Sequence, residues 1–286
     1  MKNHLAIAIV ILVAFCACTN SPKIESVSVG KDTVSAAPTS NPQPPTSKKE
    51  ASAAEIMARP QVPILCYHRI RPFKPSDSKR AKDYIVTPED FRAQMKLLAD
   101  SGYKTILPDQ LMNYLQYGDP IPEKAVMLTF DDNVGDQMTI AEPILKELGF
   151  KGVFFIMTVT LNKPGYMSKE QVKQLHDEGH VIGSHTYDHQ NMRKLPDSLW
   201  VVQVDKPQKQ LKDITGADVK YFAYPFGLWK PENIPALQKR DLKAAFQLTE
   251  KRDTTAPLYT IRRMIVPGGW SANQMLKSMK GSFSHR

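Results

Sequence analysis

The sequence predicts an α/β fold in which parallel strands alternate with helices. From about Gln61 onward, short apolar runs recur between amphipathic, helix-like segments. One of these runs, Gly152 to Met157, is apolar almost throughout, as expected for a strand that is buried on both faces. About seven or eight such units fit a (β/α) barrel, and an open, doubly wound sheet is the alternative. In both folds, ligands bind beyond the carboxyl ends of the strands.

The first half of this region contains a helix with clear end signals. Thr87 can cap its N-terminus, Pro88 fits its first turn, and Glu89 and Asp90 favour the positive end of the helix dipole. Gly102 is a typical residue to follow its C-terminus. In order, the pattern predicts a strand at 63–68, this helix, a strand at 103–107, a helix at 110–115, a strand at 125–130 and a helix at 140–148.

The second half continues the alternation. Ser168 and Gln171 form a capping-box pattern that opens a helix, and Pro207 predicts a kink or break in a later helical stretch. His176 and His180 are interpreted as packing residues. The predicted elements are a strand at 152–157, a helix at 168–176, a strand at 180–183, a partial helix at 199–214, and strands at 221–224, 244–248 and 259–266.

Ionisable side chains stand where several of these strands end. Asp131 and Asp132 follow one apolar run, His185 and His189 follow another, and His68 ends the first strand. One carboxylate and two histidines are a common ligand set for a catalytic divalent metal, and a nearby cation would relieve the repulsion between adjacent carboxylates. If the segment after its strand is helical, the two histidines share one face. This pattern favours metal-assisted hydrolysis, with the second carboxylate as a general base.

The N-terminus resembles a secretory leader. Lys2 provides a basic start, and Leu5 to Phe15 is uninterruptedly apolar but too short to span a bilayer. Ala17 precedes Cys18, a pattern similar to a bacterial lipoprotein processing site. We therefore expect a signal peptide at 1–17, lipidation of Cys18 and a membrane-anchored lipoprotein of the cell envelope, which would be secreted if Cys18 is not lipidated.

Composition divides the rest of the chain into two parts. Residues 18–60 are rich in Ser and Pro and lack aromatic residues after Cys18, which predicts a disordered tether before a folded domain at 61–286. Cys16 and Cys18 lie in the leader region, so the three cysteines do not indicate a disulfide framework. The net charge of +9 is scattered over the sequence, so we expect no nucleic-acid partner, a monomer, and a basic surface that faces anionic lipids or envelope polymers.

Three ordered motifs carry a resemblance to a known family. Thr129-Phe130-Asp131-Asp132, the pair His185-x-x-x-His189 and Ala223-Tyr224-Pro225-Phe226-Gly227 resemble the first three motifs of the polysaccharide deacetylases, the carbohydrate esterase family 4 with its NodB-like domain. The opening Val62 to His68 is similar to that of the branch that de-N-acetylates poly-β-1,6-N-acetylglucosamine. The likeness extends from about Gln61 to about Trp270.

The resemblance implies a distorted (β/α) barrel of about seven strands and a metal-dependent N-deacetylase. Asp132, His185 and His189 would hold the divalent metal. Zinc is the default, and cobalt, nickel, manganese or iron also occur in the family. Asp131 would be the general base that takes a proton from the attacking water.

Further roles follow from the same resemblance. The loop of Tyr224, Pro225, Phe226 and Gly227 would stabilise the oxyanion through the backbone N–H of Phe226. The chain lacks the late Leu-x-His motif that supplies the general acid in most of the family, since His285 is the only later histidine. His68 is therefore the candidate acid, with packing beside Tyr67 as the alternative. Trp270 would either line the substrate groove or pack in the core.

Two positions depart from the family pattern. Ala223 stands where the third motif has an arginine that orients the base, and Asn133 replaces the usual glycine or alanine after the acidic pair. Arg262 or Arg263 could supply the missing guanidinium. These departures suggest modest activity or a narrow range of substrates.

The sequence leaves alternatives for the function. A polymer that contains N-acetylglucosamine is the expected substrate: an exopolysaccharide first, then peptidoglycan or chitin-like oligomers. A two-histidine, one-carboxylate iron oxygenase is the second enzyme class, but its ligands usually occur in a different order and on a β-sandwich. A non-catalytic, glycan-binding envelope lipoprotein with a deacetylase fold is the third possibility.

Overall fold

The computed structural model describes residues 48–284, and the predicted signal peptide, Cys18 and most of the predicted tether lie outside them. The strands are β1 (Ile64–Tyr67), β2 (Arg69–Ile70), β3 (Ile85–Val86), β4 (Lys104–Thr105), β5 (Ala125–Asp131), β6 (Gly152–Ile156), β7 (Val181–Ser184), β8 (Tyr221–Ala223), β9 (Ala244–Gln247), β10 (Ile261–Arg262) and β11 (Met264–Ile265). The helices are α1 (Ala53–Ala58), α2 (Lys79–Lys82), α3 (Pro88–Asp100), α4 (Pro108–Tyr117), α5 (Glu142–Glu147), α6 (Lys169–Asp177), α7 (Lys206–Thr215), α8 (Asn233–Gln238) and α9 (Ala272–Phe283). None of the helices within these residues is both long enough and apolar enough to cross a membrane.

The central sheet is nearly closed into a barrel. Its parallel strands run in the order β10-β9-β8-β7-β6-β5-β1-β11, so β10 and β11 lie at opposite ends of the path. In the sequence, however, only Arg263 separates these two strands. Ile261 pairs with β9 on one side and Met264 pairs with β1 on the other, so one short segment joins both edges. Six strands and this divided seventh confirm the predicted (β/α) barrel rather than the open sheet.

Side chains alternate between the inside and the outside of the barrel, because successive residues of a strand point to opposite faces. The inside contains one buried cluster, which includes Met127, Phe155 and Phe246. The outside residues pack under the helices in a second cluster that includes Phe130 and Phe154. Gly183 makes room for the inner cluster, since a Cβ there would lie 2.5 Å from the Phe155 ring.

The folded region begins earlier than the sequence predicted. Residues 53–58, which lie in the predicted disordered tether, form α1. Ser52 and Glu55 cap the N-terminus of this helix with a complete capping box. Ile56 is buried against the inner cluster beside Leu111 and Leu115 of α4. Burial of Ile56, together with the capping box, stabilises a helix in a segment whose overall composition is typical of a linker.

Several other elements differ from the prediction. The strand predicted at 103–107 contains only the two residues of β4, and the helices α8 and α9 and the small β2–β3 sheet were not predicted. Pro207 lies in the first turn of α7, directly after a π-helical turn at Val201–Asp205 in which the N–H of Lys206 bonds to the carbonyl of Val201. Proline has no N–H to donate, so the predicted kink or break takes the form of a change from π-helical to α-helical hydrogen bonding just before it.

Replacement of Ile56 by alanine tests whether α1 is part of the folded domain. We expect Ile56→Ala to lower the free energy of unfolding by about 2 kcal/mol. Removal of buried methyl and methylene groups loses their transfer free energy and also leaves a cavity. Met57→Ala in the same helix is the control, and it should cost less because Met57 is only partly buried. Urea denaturation of both variants measures the difference, and equal stabilities would mean that α1 does not dock.

Candidate metal centre

The alternation along three strands brings the predicted site residues to the same end of the barrel. Asp131 faces inward two residues after Thr129 on β5, and His185 follows Gly183 of β7 by the same step. His68 follows Cys66 of β1 in the same way. All three strands are parallel, so their carboxyl ends form one mouth, as in other (β/α) barrels.

The backbone leaves regular geometry where the ligand-type side chains must turn. Asp132, Thr186 and His189 have positive φ values of 74°, 67° and 67°. The segment after β7 is therefore a tight turn, and not the helix that would have placed His185 and His189 on one face. Left-handed backbone is costly for residues with a Cβ, and such strain is concentrated at functional sites in proteins.

Asp132, His185 and His189 form a compact group of potential metal ligands. Oδ1 of Asp132 lies 3.6 Å from Nε2 of His185 and 3.5 Å from Nε2 of His189. This oxygen is buried and makes no hydrogen bond. In a tetrahedral site with bonds of about 2.0–2.1 Å, ligand atoms are separated by about 3.4 Å. The spacing and the unpartnered oxygen therefore fit a divalent cation, which would satisfy all three atoms.

The environment of His185 prepares its Nε2 for a metal. Its Nδ1 lies 2.8 Å from the carbonyl oxygen of Ala223, which requires the proton on Nδ1 and leaves a lone pair on Nε2. Burial lowers the pKa of His185 to about 3, so the ring stays neutral at physiological pH. His189 and Asp132 are about a quarter exposed at the side chain, so the group is open to solvent on one side.

Asp131 forms a buried ion pair with Arg263. Nη1 of Arg263 donates to Oδ1 at 2.7 Å and Nη2 donates to Oδ2 at 2.8 Å, and Arg263 is only 1% exposed. Burial alone would raise the pKa of Asp131, but the guanidinium outweighs it and holds this pKa well below its usual range. Of the two arginines that sequence analysis offered, it is Arg263 that reaches the base, whereas Arg262 bonds to Ser282.

Asn133 gives a reason for the departure from the family pattern at this position. It is fully buried at φ 40°, and asparagine tolerates this region better than most residues. Its Oδ1 accepts from the backbone N–H of Met157, and its Nδ2 donates to Thr160. Asn133 therefore fastens the end of β5 to the segment after β6, which glycine could not do.

His68 lies at the edge of the mouth. One of its ring nitrogens lies within 4.8 Å of a carboxylate oxygen of Asp131, and its buried Nδ1 has no hydrogen-bond partner. Its ring meets Tyr84 edge-on at a centroid distance of 5.0 Å. The aromatic partner of the His68 ring is thus Tyr84, and the role of His68 as the acid stays a prediction.

The loop after β8 places its aromatic residues in opposite directions. Phe226 has φ 61°, is 56% exposed, and its ring lies 4.4 Å from that of His189. Tyr224 is fully buried in the outer cluster, so only its backbone can take part in the loop. Trp270 is partly buried against the same cluster, and a groove role for it stays a prediction.

Sequence reasoning did not identify three residues that surround Asp131. Thr129 accepts a hydrogen bond from Arg263, and Sγ of Cys66 lies 3.5 Å from Oδ2 of Asp131. Strict alternation along β5 and β1 could have placed both in the interior. Gln137 donates to the backbone oxygen of Asp131, and its position in a π-helical turn has no signal in the sequence.

A second group of ligand-type side chains, Glu142, Glu178 and His180, lies away from the mouth and does not fit a metal. The N–H of Gly152 donates to Nδ1 of His180, so the proton of the neutral ring is on Nε2. A metal would need that nitrogen free. Burial and the adjacent Glu178 raise the pKa of Glu142, which favours a proton shared within the carboxyl pair.

Comparisons with known proteins identify polysaccharide deacetylases among the relatives of this chain. A family model described as polysaccharide deacetylase matches residues 118–245. The chain is 27% identical to the Bacillus subtilis protein YxkH, named as a polysaccharide deacetylase, over 77% of each chain. It is also 27% identical to a Staphylococcus aureus poly-β-1,6-N-acetyl-D-glucosamine N-deacetylase, over 71% of this chain and 77% of the relative. The solved Streptococcus pyogenes deacetylase PplD has the same fold, with a TM-score of 0.72 and 23% identity over 77% of this chain and 99% of PplD.

The Arg263–Asp131 pair can be tested by removing each partner. We expect Arg263→Met to lower the free energy of unfolding by about 3–5 kcal/mol, because it leaves a buried carboxylate without a counter-charge. The double variant Arg263→Met/Asp131→Asn should be more stable than the sum of the two single losses predicts. Arg262→Met is the control for loss of an arginine. Additive losses in urea denaturation would contradict the pairing.

The buried ring of His180 should make stability depend on pH. Burial lowers its pKa from 6.5 to about 4, so between these values the unfolded chain binds more protons than the folded one. The contribution of the neutral His180 ring to the free energy of unfolding is complete above pH 6.5. It is lost as pH falls towards 4, and the loss amounts to up to about 3 kcal/mol. In metal-free protein, His180→Asn should flatten this part of the stability–pH curve, whereas the control His176→Asn should keep the wild-type slope. Identical curves for the wild type and His180→Asn would refute the assignment.

Proposed function

As a member of the polysaccharide deacetylase family, this chain is an enzyme that hydrolyses acetamide bonds, and we propose that its substrate is poly-β-1,6-N-acetylglucosamine. The observation that carries the proposal is the arrangement of Asp132, His185 and His189 beside the ion-paired Asp131 at the barrel mouth. Peptidoglycan and chitin-like oligomers are the next candidates. The Staphylococcus aureus relative supports the choice of glycan.

Asp132, His185 and His189 would hold one divalent metal, and zinc suits a set of one carboxylate oxygen and two imidazole nitrogens. A metal bound there would polarise the acetamide carbonyl and lower the pKa of the attacking water. The bond from His185 to the carbonyl of Ala223 orients its ring for this task. The exposed sides of Asp132 and His189 leave room for the substrate.

Asp131 would accept the proton of the attacking water. Its ion pair with Arg263 keeps the carboxylate charged at neutral pH and fixes both of its oxygens. The same pair makes Asp131 a weak base, because it holds the pKa of the carboxyl low. Asp131 is therefore suited to a water that is already acidified, and unsuited to one that is not.

His68 would donate a proton to the leaving amine. Its unpartnered Nδ1 and its position close to Asp131 allow an acid and a base to act on one acetamide group. Phe226 would contribute its backbone N–H to the oxyanion, and the position of its ring, 4.4 Å from that of His189, supports a loop beside the proposed metal ligands. The exposed rings of Phe226 and Tyr84 could both contact the sugar chain.

The site of action follows from the N-terminal prediction. Export through the signal peptide at 1–17 and lipidation at Cys18 would hold the enzyme in the cell envelope, where such polymers pass or accumulate. A monomer is sufficient for the reaction, because every proposed site residue belongs to one chain.

Acetate release tests the activity directly. The purified full-length protein is stripped of metal, reloaded with zinc, cobalt, nickel, manganese or iron, and given poly-β-1,6-N-acetylglucosamine oligomers or chitooligosaccharides. We expect acetate only from the reloaded enzyme, and more from the first substrate. Asp131→Asn should lower kcat by at least 100-fold, and His68→Gln by about 100-fold, the usual size of a lost acid or base.

Controls separate loss of chemistry from loss of structure. Asp131→Asn leaves Arg263 without its counter-charge, so circular dichroism and metal content must show that this variant is folded and loaded. Release from chitooligosaccharides alone would replace the proposed substrate. Absence of release from both glycans by loaded wild-type protein, with oligomer binding retained, would favour the non-catalytic glycan-binding alternative.

A further inference from the structure

The β-sheet ladder ends one step before the two proposed catalytic side chains. The paired positions of β1 and β5 end at Tyr67 and Phe130. His68 and Asp131 occupy the next step, where the chain from β1 turns away towards β2. Sheet pairing therefore does not set the distance between the proposed acid and the proposed base.

A buried glutamine spans this step. Nε2 of Gln137 donates to the backbone oxygen of His68 at 2.7 Å and to that of Asp131 at 2.5 Å. Both partners are acceptors, so the amide orientation is fixed. Each of the two N–H bonds of one side chain thus holds one of the two residues.

The neighbouring residue extends the connection. Oδ1 of Asp136 accepts from the backbone N–H of Ile70 at 2.9 Å. Gln137 thus binds the carbonyl at the start of the segment from His68 to Ile70, and Asp136 binds the N–H at its end. Together they hold this segment near the end of β5. We call these two residues the 136–137 clamp.

The clamp is maintained at a local cost. Gln137 is fully buried, and its Oε1 has no hydrogen-bond partner. Such an unsatisfied acceptor typically costs about 1–3 kcal/mol. Gln137 also begins a π-helical turn at Gln137–Ala141, a rare geometry that often marks functional sites. An apolar residue would be the simpler solution for packing alone.

From this geometry we propose that Gln137 is a positioning residue, which with Asp136 sets the placement of His68 relative to Asp131. The inference rests on the proposed deacetylation for its kinetic consequence. Displacement of a reacting group by about 1 Å can cost on the order of 100-fold in rate. The clamp acts on the backbone of the acid and the base and touches none of the metal-ligand atoms.

The first test compares two buried glutamines. Gln247 is also fully buried, and its Nε2 also donates to two backbone oxygens, those of Glu250 and Thr260. We expect Gln137→Met and Gln247→Met to lower the melting temperature similarly. Only Gln137→Met should reduce kcat, by 10- to 100-fold, with KM and metal content within twofold of wild type. Equal kcat losses in the two variants, or an unchanged kcat in Gln137→Met, would overturn the proposal.

The second test uses Asp136, which is less buried than Gln137, so that a folding failure is less of a concern. Asp136→Ala should lower kcat several-fold, and Asp136→Asn should recover most of this loss, because its Oδ1 can still accept from Ile70. Failure of asparagine to recover more than alanine would count against the clamp.

A third readout does not depend on activity. The NMR resonances of the His68 ring should shift in Gln137→Met but not in Gln247→Met. Unchanged His68 resonances in Gln137→Met would overturn the clamp even in an active enzyme. Shifted resonances together with an inactive wild type would support the clamp and refute only the deacetylase proposal.

Discussion

The buried ion pair between Arg263 and Asp131 is the interaction on which the rest of the structure depends. Arg263 is the one residue between β10 and β11, the strands that reach the two edges of the barrel. Its side chain crosses the interior above the Phe155 ring and binds both oxygens of Asp131. The segment that closes the barrel therefore also orients the proposed base. A charge buried this deeply would be strongly unfavourable without its partner.

The proposed metal ligands depend on a second constraint, which is local strain. Regular alternation directs Asp131 and His185 into the mouth, but it would direct Asp132 to the opposite face. Left-handed backbone at Asp132 and at His189 turns both side chains back towards His185. Buried contacts hold this geometry: Asn133 fastens the first turn to the segment after β6, and Gln203 accepts hydrogen bonds from the backbone of the second.

Much of the fold and the members of the site could be predicted from the sequence. Apolar runs of strand length, separated by capped helices, predicted parallel β/α units in a barrel or an open sheet, and the family resemblance implied the barrel. The ionisable residues at the ends of β1, β5 and β7 could be placed at one end of either fold. The geometry of the site could not be predicted in the same way. A helix at 185–189 was one possibility that the sequence left open, because the four-residue spacing of His185 and His189 does not distinguish a helix from a turn. Gln137 could not be found, since nothing in the residues around it indicates a π-helical turn.

Pairing between strands that are distant in the chain was the second feature that could not be predicted from the sequence. The sequence 259–266 resembles one strand, and its division between two edges depends on neighbours that are almost 200 positions away in the chain for β11, such as Leu65. The helix α1 was missed for a related reason, since its buried residue, Ile56, packs in a cluster with residues distant in the chain, such as Leu111 and Leu115. In both cases the deciding contacts are tertiary, and local propensity carries little information about them.

The position of the closing segment after β1 and β5 to β9 in the chain also bears on how the candidate site can form. The carboxylate of Asp131 has no counter-charge from Arg263 until this segment docks. An incomplete chain would hold an unpaired acid in an open, unclosed sheet, and the cost of burying it disfavours premature collapse around the mouth. The docking of the five-residue segment 261–265 thus has two effects at once: it joins the two edges of the sheet, and it supplies the counter-charge of the proposed base. A chain without this docked segment would lack both the closed barrel and an oriented Asp131.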